Sequence, residues 1–192
     1  MNDINFSLQI KKSNTDEWYT PVEPVKMIVP YLKRAGYHKI LCPFDKAGSN
    51  FVRVLKKEGF DVTYSHIETG TDFFDIKNLR DYDAVVSNPP FSKREKILKR
   101  LFAEKVPFAL IMNFNGLFDS KCRFELFKRN GIEILVPCGR MHFFNADCVG
   151  NAPNFQSVYI CNNLLIRQIE FVDVNGFEQM TMDFDEETGT SE

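Results

Sequence analysis

The residues best suited to chemistry stand together at Asn88-Pro89-Pro90-Phe91, directly after the apolar run Ala84-Val85-Val86-Ser87. The run is short, β-branched and stopped by two prolines, so it reads as a buried strand that ends at Asn88. Pro89 and Pro90 remove two backbone donors and fix φ, which leaves a stiff row of carbonyl acceptors. Asn88 adds a side-chain carbonyl, and Phe91 adds a flat apolar face for stacking. Two acceptors beside a ring suit a planar aromatic amine. Such an amine is a poor nucleophile while its lone pair is delocalised; holding both hydrogens favours a tetrahedral nitrogen whose lone pair faces an electrophile. That catalysis needs positioning and preorganised dipoles rather than a strong base. The alternative is a turn closing a core strand.

Other stretches supply candidate ligand contacts. Tyr19-Thr20-Pro21 precedes an apolar pattern from Val22 to Lys33, with Thr20 expected as N-cap and Pro21 at the first helical position. Pro43-Phe44-Asp45 to Ser49 is a small-residue loop between a strand and a helix, where backbone lets a ligand lie close and helix N–H groups favour a carboxylate. In nucleoside-binding sheets an acid near the end of the second strand holds ribose hydroxyls. Glu68 and His66 are the candidates, the alternatives being a solvated acid and a capping histidine. Asp72-Phe73-Phe74, read from its residues alone, is a capped turn whose phenylalanines enter the core. Lys93 opens a basic run, with Arg94, Lys96, Lys99 and Arg100, that either holds phosphate or forms a solvated face. Arg140, His142 and Phe143 lie in a long aromatic loop, 138–155, able to meet a substrate strand by charge and stacking; equally, Phe143 and Phe144 anchor that loop to the core.

These residues need an α/β scaffold to position them. Strands are predicted over 39–44, 62–67, 84–88, 107–112, 132–137 and 156–161, with an edge strand over 166–174 paired with the last. Helices are predicted over 22–33, 51–58, 92–104, with Ser92 as cap, and 119–129. The alternation implies a mostly parallel twisted sheet with helices on both faces and an antiparallel strand near the C-terminus. Residues 1–16 read as a flexible N-terminal segment, 17–182 as one domain and 183–192 as a disordered acidic tail.

The 192 residues suit one domain with a proper core. The formal charge of −2 gives no global nucleic-acid signature, so any such partner must meet a local patch. No apolar run reaches membrane-span length, and Met1-Asn2-Asp3-Ile4-Asn5 lacks signal-peptide features, which predicts a cytoplasmic protein with no membrane partner. The five cysteines show no Cys-x-x-Cys pair and are expected to be reduced thiols, mostly buried, with no metal site.

Asn88-Pro89-Pro90-Phe91 resembles the catalytic motif of the adenine-specific amino methyltransferases that use S-adenosylmethionine. The resemblance runs from about Trp18 to Cys161, with cofactor elements first and the catalytic motif later, as in the gamma class. It implies a Rossmann-like class I methyltransferase whose Asn88 and Pro89 carbonyls hold the adenine amine of a flipped base stacked on Phe91. Tyr19-Thr20-Pro21 would contact the methionine end of the cofactor, and Asp72 with Phe73 its adenine. The loop departs from the family pattern: Cys42 stands where an acid is expected, and Gly48 alone remains of two spaced glycines, so Asp45 would take over the cofactor's ammonium. Pro43-Phe44-Asp45 and Ser65-His66-Ile67 together look like small methyltransferases of bacterial phages and mobile elements. The resemblance implies DNA, ahead of RNA, as partner. Few residues follow Cys161, so sequence specificity would come from the 138–155 loop, a homodimer partner or a separate chain. A non-catalytic binding module with an eroded cofactor loop is the alternative from outside the enzymes.

Overall fold

A computed structural model describes residues 20–144, 150–151 and 156–173. Its centre is a seven-stranded sheet built from β1 (Lys39–Cys42), β2 (Asp61–Tyr64), β3 (Ala84–Ser87), β4 (Phe108–Asn113), β5 (Glu133–Pro137), β8 (Ser157–Asn162) and β9 (Ile169–Val172). The order across the sheet is β2-β1-β3-β4-β8-β5-β9. β2, β1, β3 and β4 run parallel, β8 is antiparallel to both β4 and β5, and β9 is parallel to β5. Two short strands, β6 (Phe143–Phe144) and β7 (Gly150–Asn151), form a separate antiparallel pair. This is the Rossmann-like α/β arrangement expected from the alternating elements. The chain order reverses between β1 and β3, and the crevice beyond their carboxyl ends is where open α/β sheets take ligands.

The helices are α1 (Val22–Arg34), α2 (Asn50–Lys57), α3 (Arg94–Glu104) and α4 (Lys121–Asn130). Side chains alternate across the strands. Ile40, Cys42, Ala84, Val86, Ala109 and Ile111 face one core with Val25, Ile28 and Leu32 of α1 and Phe51 and Leu55 of α2. Leu41, Val85, Leu110 and Met112 face the other, with Ile97, Leu98 and Leu101 of α3 and Phe127 of α4. Among the described residues, no helix is long and apolar enough to cross a membrane. Cys42 and Cys161 are buried, Cys122 is half-buried and Cys138 exposed, all as free thiols.

Three local expectations are corrected. Pro21, not Thr20, is the N-cap of α1 and makes no side-chain capping bond, because the Thr20 hydroxyl is engaged by Asn88. Ser92 does not cap α3; it lies in a short 3-10 turn, Phe91–Lys93, and Lys93 precedes the helix. The edge strand β9 pairs with β5 rather than β8, since β4 and β5 already occupy both edges of β8. The chain is carried past by a turn at 163–168. The Glu133 carboxylate accepts from the N–H groups of Asn163, Leu164 and Leu165 at 3.0, 2.9 and 2.7 Å, and Asn163 takes a left-handed φ of 56°. The segments 1–16 and 183–192 and the residues Trp18, Tyr19 and Cys148 lie outside the described residues.

Candidate active site

Three loops meet beyond the carboxyl ends of β1, β2 and β3. The Asp45 N–H donates to the Ser65 carbonyl at 3.0 Å, and the Ser65 N–H donates to the Cys42 carbonyl at 3.1 Å, so the first two loops are stitched as a continuation of the sheet. The third is joined through side chains, because Ser87, the last residue of β3, donates its hydroxyl to the Asp45 carboxylate. Asp45 is only 8% exposed. Burial raises its pKa from 3.8 to about 6, against the opposing hydrogen bonds from Ser87 and Ser49. Ser49 also caps α2 by accepting from the Val52 N–H. A buried carboxylate with no cationic partner among these contacts is costly to the fold and suited to a cationic ligand.

Asn88 leaves β3 beside it. Its side-chain amide nitrogen donates to the Thr20 hydroxyl at 3.3 Å, while Asn50 at the start of α2 donates to the Thr20 carbonyl at 2.9 Å. Thr20 is thereby fixed from both sides and buried. The bond orients the Asn88 amide and leaves its carbonyl oxygen as the acceptor. Pro89 is buried and Pro90 exposed, so the chain turns outward at this point. Phe91 is half-buried and carries the Arg94 guanidinium 5.6 Å over its ring.

Asp72 caps a 3-10 turn, Phe73–Asp75, accepting from the Phe74 N–H at 3.1 Å, and its other oxygen meets the Lys93 ammonium at 3.0 Å. The Phe74 N–H and then Lys93 hold the Asp72 carboxyl below the usual carboxylate range. Lys93, expected as a phosphate contact, thus ties the residues after the Asn-Pro-Pro-Phe motif to the Asp72 turn. Phe73 is 1% exposed and packs on Phe44, whose ring centroid is 5.2 Å away. The exposed ring beside Asp72 is that of Phe74, 38% exposed.

His66 caps the turn Ile67–Thr69 through Nδ1, which accepts from the Glu68 N–H at 3.2 Å. Glu68 is exposed and ion-paired with Lys46. Pro43 is buried behind these loops. In the outer loop Arg140 and His142 are exposed, whereas Phe143 is 5% exposed within the core, so it anchors the loop and presents no ring to a substrate.

Sequence reasoning missed Ser87, and it read Arg100 only as one charge of a basic run. A serine closing an otherwise apolar strand was the available signal for the first. Arg100 donates to the carbonyls of Phe73 and Ile76, pairs with Glu104 at 2.6 Å and lies 4.9 Å over the Phe73 ring, so α3 holds the Asp72 turn from below. Among the described residues, no group of three His, Cys, Asp or Glu side chains could hold a metal ion. A cavity of about 280 Å³ opens at the opposite end of the sheet, lined by residues including Asn130, Glu133 and Asn163; the Glu133 carboxylate there is already held by backbone donors.

The fold is a Rossmann-like α/β arrangement with a mostly parallel sheet and an antiparallel part. Solved structures similar to it include the EcoKI M protein of a type I restriction enzyme, 12% identical with a TM-score of 0.50 over 84% of this chain and 49% of that one. A modification subunit assigned to a type I restriction enzyme from Vibrio vulnificus YJ016 is 11% identical, with a TM-score of 0.50 over 84% of this chain and 48% of that one. A precorrin-6y C5,15-methyltransferase from Geobacter metallireducens GS-15 is 12% identical, with a TM-score of 0.49 over 78% and 93%. The chain spans about half the length of the two restriction-enzyme subunits. No family model and no curated protein matches it.

Proposed function

We propose that this chain transfers a methyl group from S-adenosylmethionine to the exocyclic amine of adenine in nucleic acid, DNA ahead of RNA. The observation that carries the reading is the Asn88 amide, oriented by Thr20 at the end of β3 beside the buried carboxylate of Asp45. The residues fit the cofactor. Asp45 and Ser49 offer a carboxylate and a hydroxyl for its cationic amino-acid end, Thr20 and Pro21 close that side, Glu68 stands at the end of β2 for ribose hydroxyls, and Asp72 accepts from an adenine amine. When bound, S-adenosylmethionine supplies an electrophilic methyl on a sulfonium.

Asn88 and the Pro89 carbonyl hold the two hydrogens of the target amine, and Phe91 stacks on the flipped base. Holding both hydrogens biases the nitrogen toward the tetrahedral form; its proton leaves to water once the nitrogen is alkylated. The two restriction-enzyme neighbours are modification subunits of about twice the matched length, which favours a nucleic-acid acceptor and a specificity element on another chain or a second copy.

The test is transfer of isotopically labelled methyl from S-adenosylmethionine to adenine-containing DNA and RNA, followed by nucleoside analysis. Asn88→Ala is expected to lower transfer by about 100-fold or more with the cofactor Kd unchanged. Full activity in that variant, or label in protein alone, would overturn the assignment.

A further inference from the structure

The loop that follows β4 leaves the sheet at the same end as Asn88, since Leu110 of β4 pairs with Ser87 of β3. It is rigidly built. Asn113 accepts from the Asn115 N–H at 2.7 Å, the Phe114 N–H donates to the Gln156 carbonyl at 2.8 Å, and Leu117 is buried as an anchor. Arg123 of α4 clamps the far side, donating to the carbonyls of Leu117 and Gly116 at 2.9 and 2.7 Å. A loop held this firmly nevertheless exposes large rings: Phe114 and Phe118 are each 42% exposed, and Phe124, on the first turn of α4, is 49% exposed. Phe114 and Phe118 stand edge to face at 6.2 Å, with Phe118 braced on core residue Phe127 at 5.9 Å.

Arg94 links the Asn88-Pro89-Pro90-Phe91 motif to this loop, since it lies over Phe91 and feels the charge of Arg123, which clamps Gly116 and Leu117. The Arg94 Nη1 is buried with no hydrogen-bond partner. The nearest acid in sequence, Glu95, is engaged elsewhere, accepting from Ser120 at 2.9 Å and Lys99 at 3.1 Å. Burial and then the neighbouring Arg123 push the Arg94 pKa down. Nη1 itself is closed to solvent, but Arg94 as a whole is only half-buried; a guanidinium set beside a second one favours an anionic oxygen at its open side, and guanidinium with phosphate is among the strongest such pairs.

We infer that Phe91, Arg94, Phe114, Phe118 and Phe124 form one binding track for an unpaired nucleic-acid strand, with Arg94 on a phosphate and the exposed rings stacked on bases flanking the target adenine. The inference rests on the proposed adenine site and names its substrate class. An unpaired strand is selected over a duplex for two reasons. Stacking rings reach only bases whose faces are free. The track also offers several rings against one guanidinium for phosphate, so stacking, not counterion release, must supply most of its affinity.

The test is fluorescence anisotropy with a short labelled adenine-containing single strand and its duplex, with sedimentation velocity and thermal melting on the same samples. The single strand is expected to bind at least tenfold more tightly than the duplex. The double substitution Phe114→Ser and Phe118→Ser should weaken single-strand binding about tenfold or more when binding is measured well below the variant's own Tm, which falls somewhat because Phe118 packs on Phe127. Arg94→Met should make the salt slope of log K shallower by about 0.7, the loss of one phosphate contact. Equal affinity for duplex, or no effect of the double substitution, overturns the proposal. So does a wild-type dimer that the double substitution disperses without altering oligonucleotide binding, because the rings would then be a self-association surface. Failure of the adenine reading looks different: binding and its loss in the variants persist while no methyl is transferred.

Discussion

Asp45→Asn is expected to stabilise the fold while weakening the cofactor site. Burial raises the Asp45 pKa from 3.8 to about 6, so its ionised form destabilises the native state by about 3 kcal/mol above pH 7. The sign follows from proton counts: between about pH 4 and pH 6 the native chain holds more protons than the unfolded one, so stability falls as pH rises through that window and is level above it. Asn keeps an acceptor for the Ser87 hydroxyl, and its NH2 can donate to a hydroxyl, so the substitution removes the charge without orphaning a partner. The variant should melt about 6 to 12 °C above wild type at pH 8, an upper bound, with the gap closing toward pH 4. Calorimetric titration with S-adenosylmethionine should show affinity reduced tenfold or more, as expected where a costly group is retained for function. Scanning calorimetry across pH is the first assay. A variant that melts below wild type at pH 8, or a gap independent of pH, refutes the account of Asp45 as an uncompensated buried charge. A stability gain with unchanged cofactor affinity refutes its role toward the cofactor.

Arg100→Met should raise the cofactor Kd about tenfold, roughly 1.4 kcal/mol, by releasing the Phe73 and Ile76 carbonyls that hold the Asp72 turn; an unchanged Kd would show that the turn holds itself. Glu133→Ala removes the shared acceptor of three backbone N–H groups and should cost about 2 kcal/mol, lowering Tm by about 4 to 8 °C. That site lies at the other end of the sheet, so methyl transfer measured well below the new Tm should match wild type.

The central parallel strands β1, β3 and β4 were legible because each is a short apolar run closed by a turn signal, and Ala84–Ser87 with its prolines marked the ligand end of the sheet. Errors arose where a side chain works at long range. Thr20 has the right identity for an N-cap, but its hydroxyl is taken by Asn88, 68 positions away. Lys93 reads as one charge of a basic run, yet it pairs with Asp72 across 21 positions. Phe143 carried two readings that spacing could not separate, and burial separates them. The partnership of Asp45 with Ser87 spans 42 positions; it depends on β1 and β3 being neighbours, which local pattern does not encode. The resemblance named Asp45 from a substitution in the loop, and the fold adds why a carboxylate there is strained.

The antiparallel β8 lies between β4 and β5, so residues 108–113 and 133–137 meet only through a strand synthesised after both. While the chain is being made, β4 and β5 each present an open edge, and β4 is fully apolar from Phe108 to Met112. Unpaired apolar edges are templates for the wrong partner. The last strand to enter the middle of the sheet is therefore also the piece that ends its vulnerability, and substitutions in Ser157–Asn162 should lower the yield of soluble protein more than their effect on the stability of the finished fold would suggest.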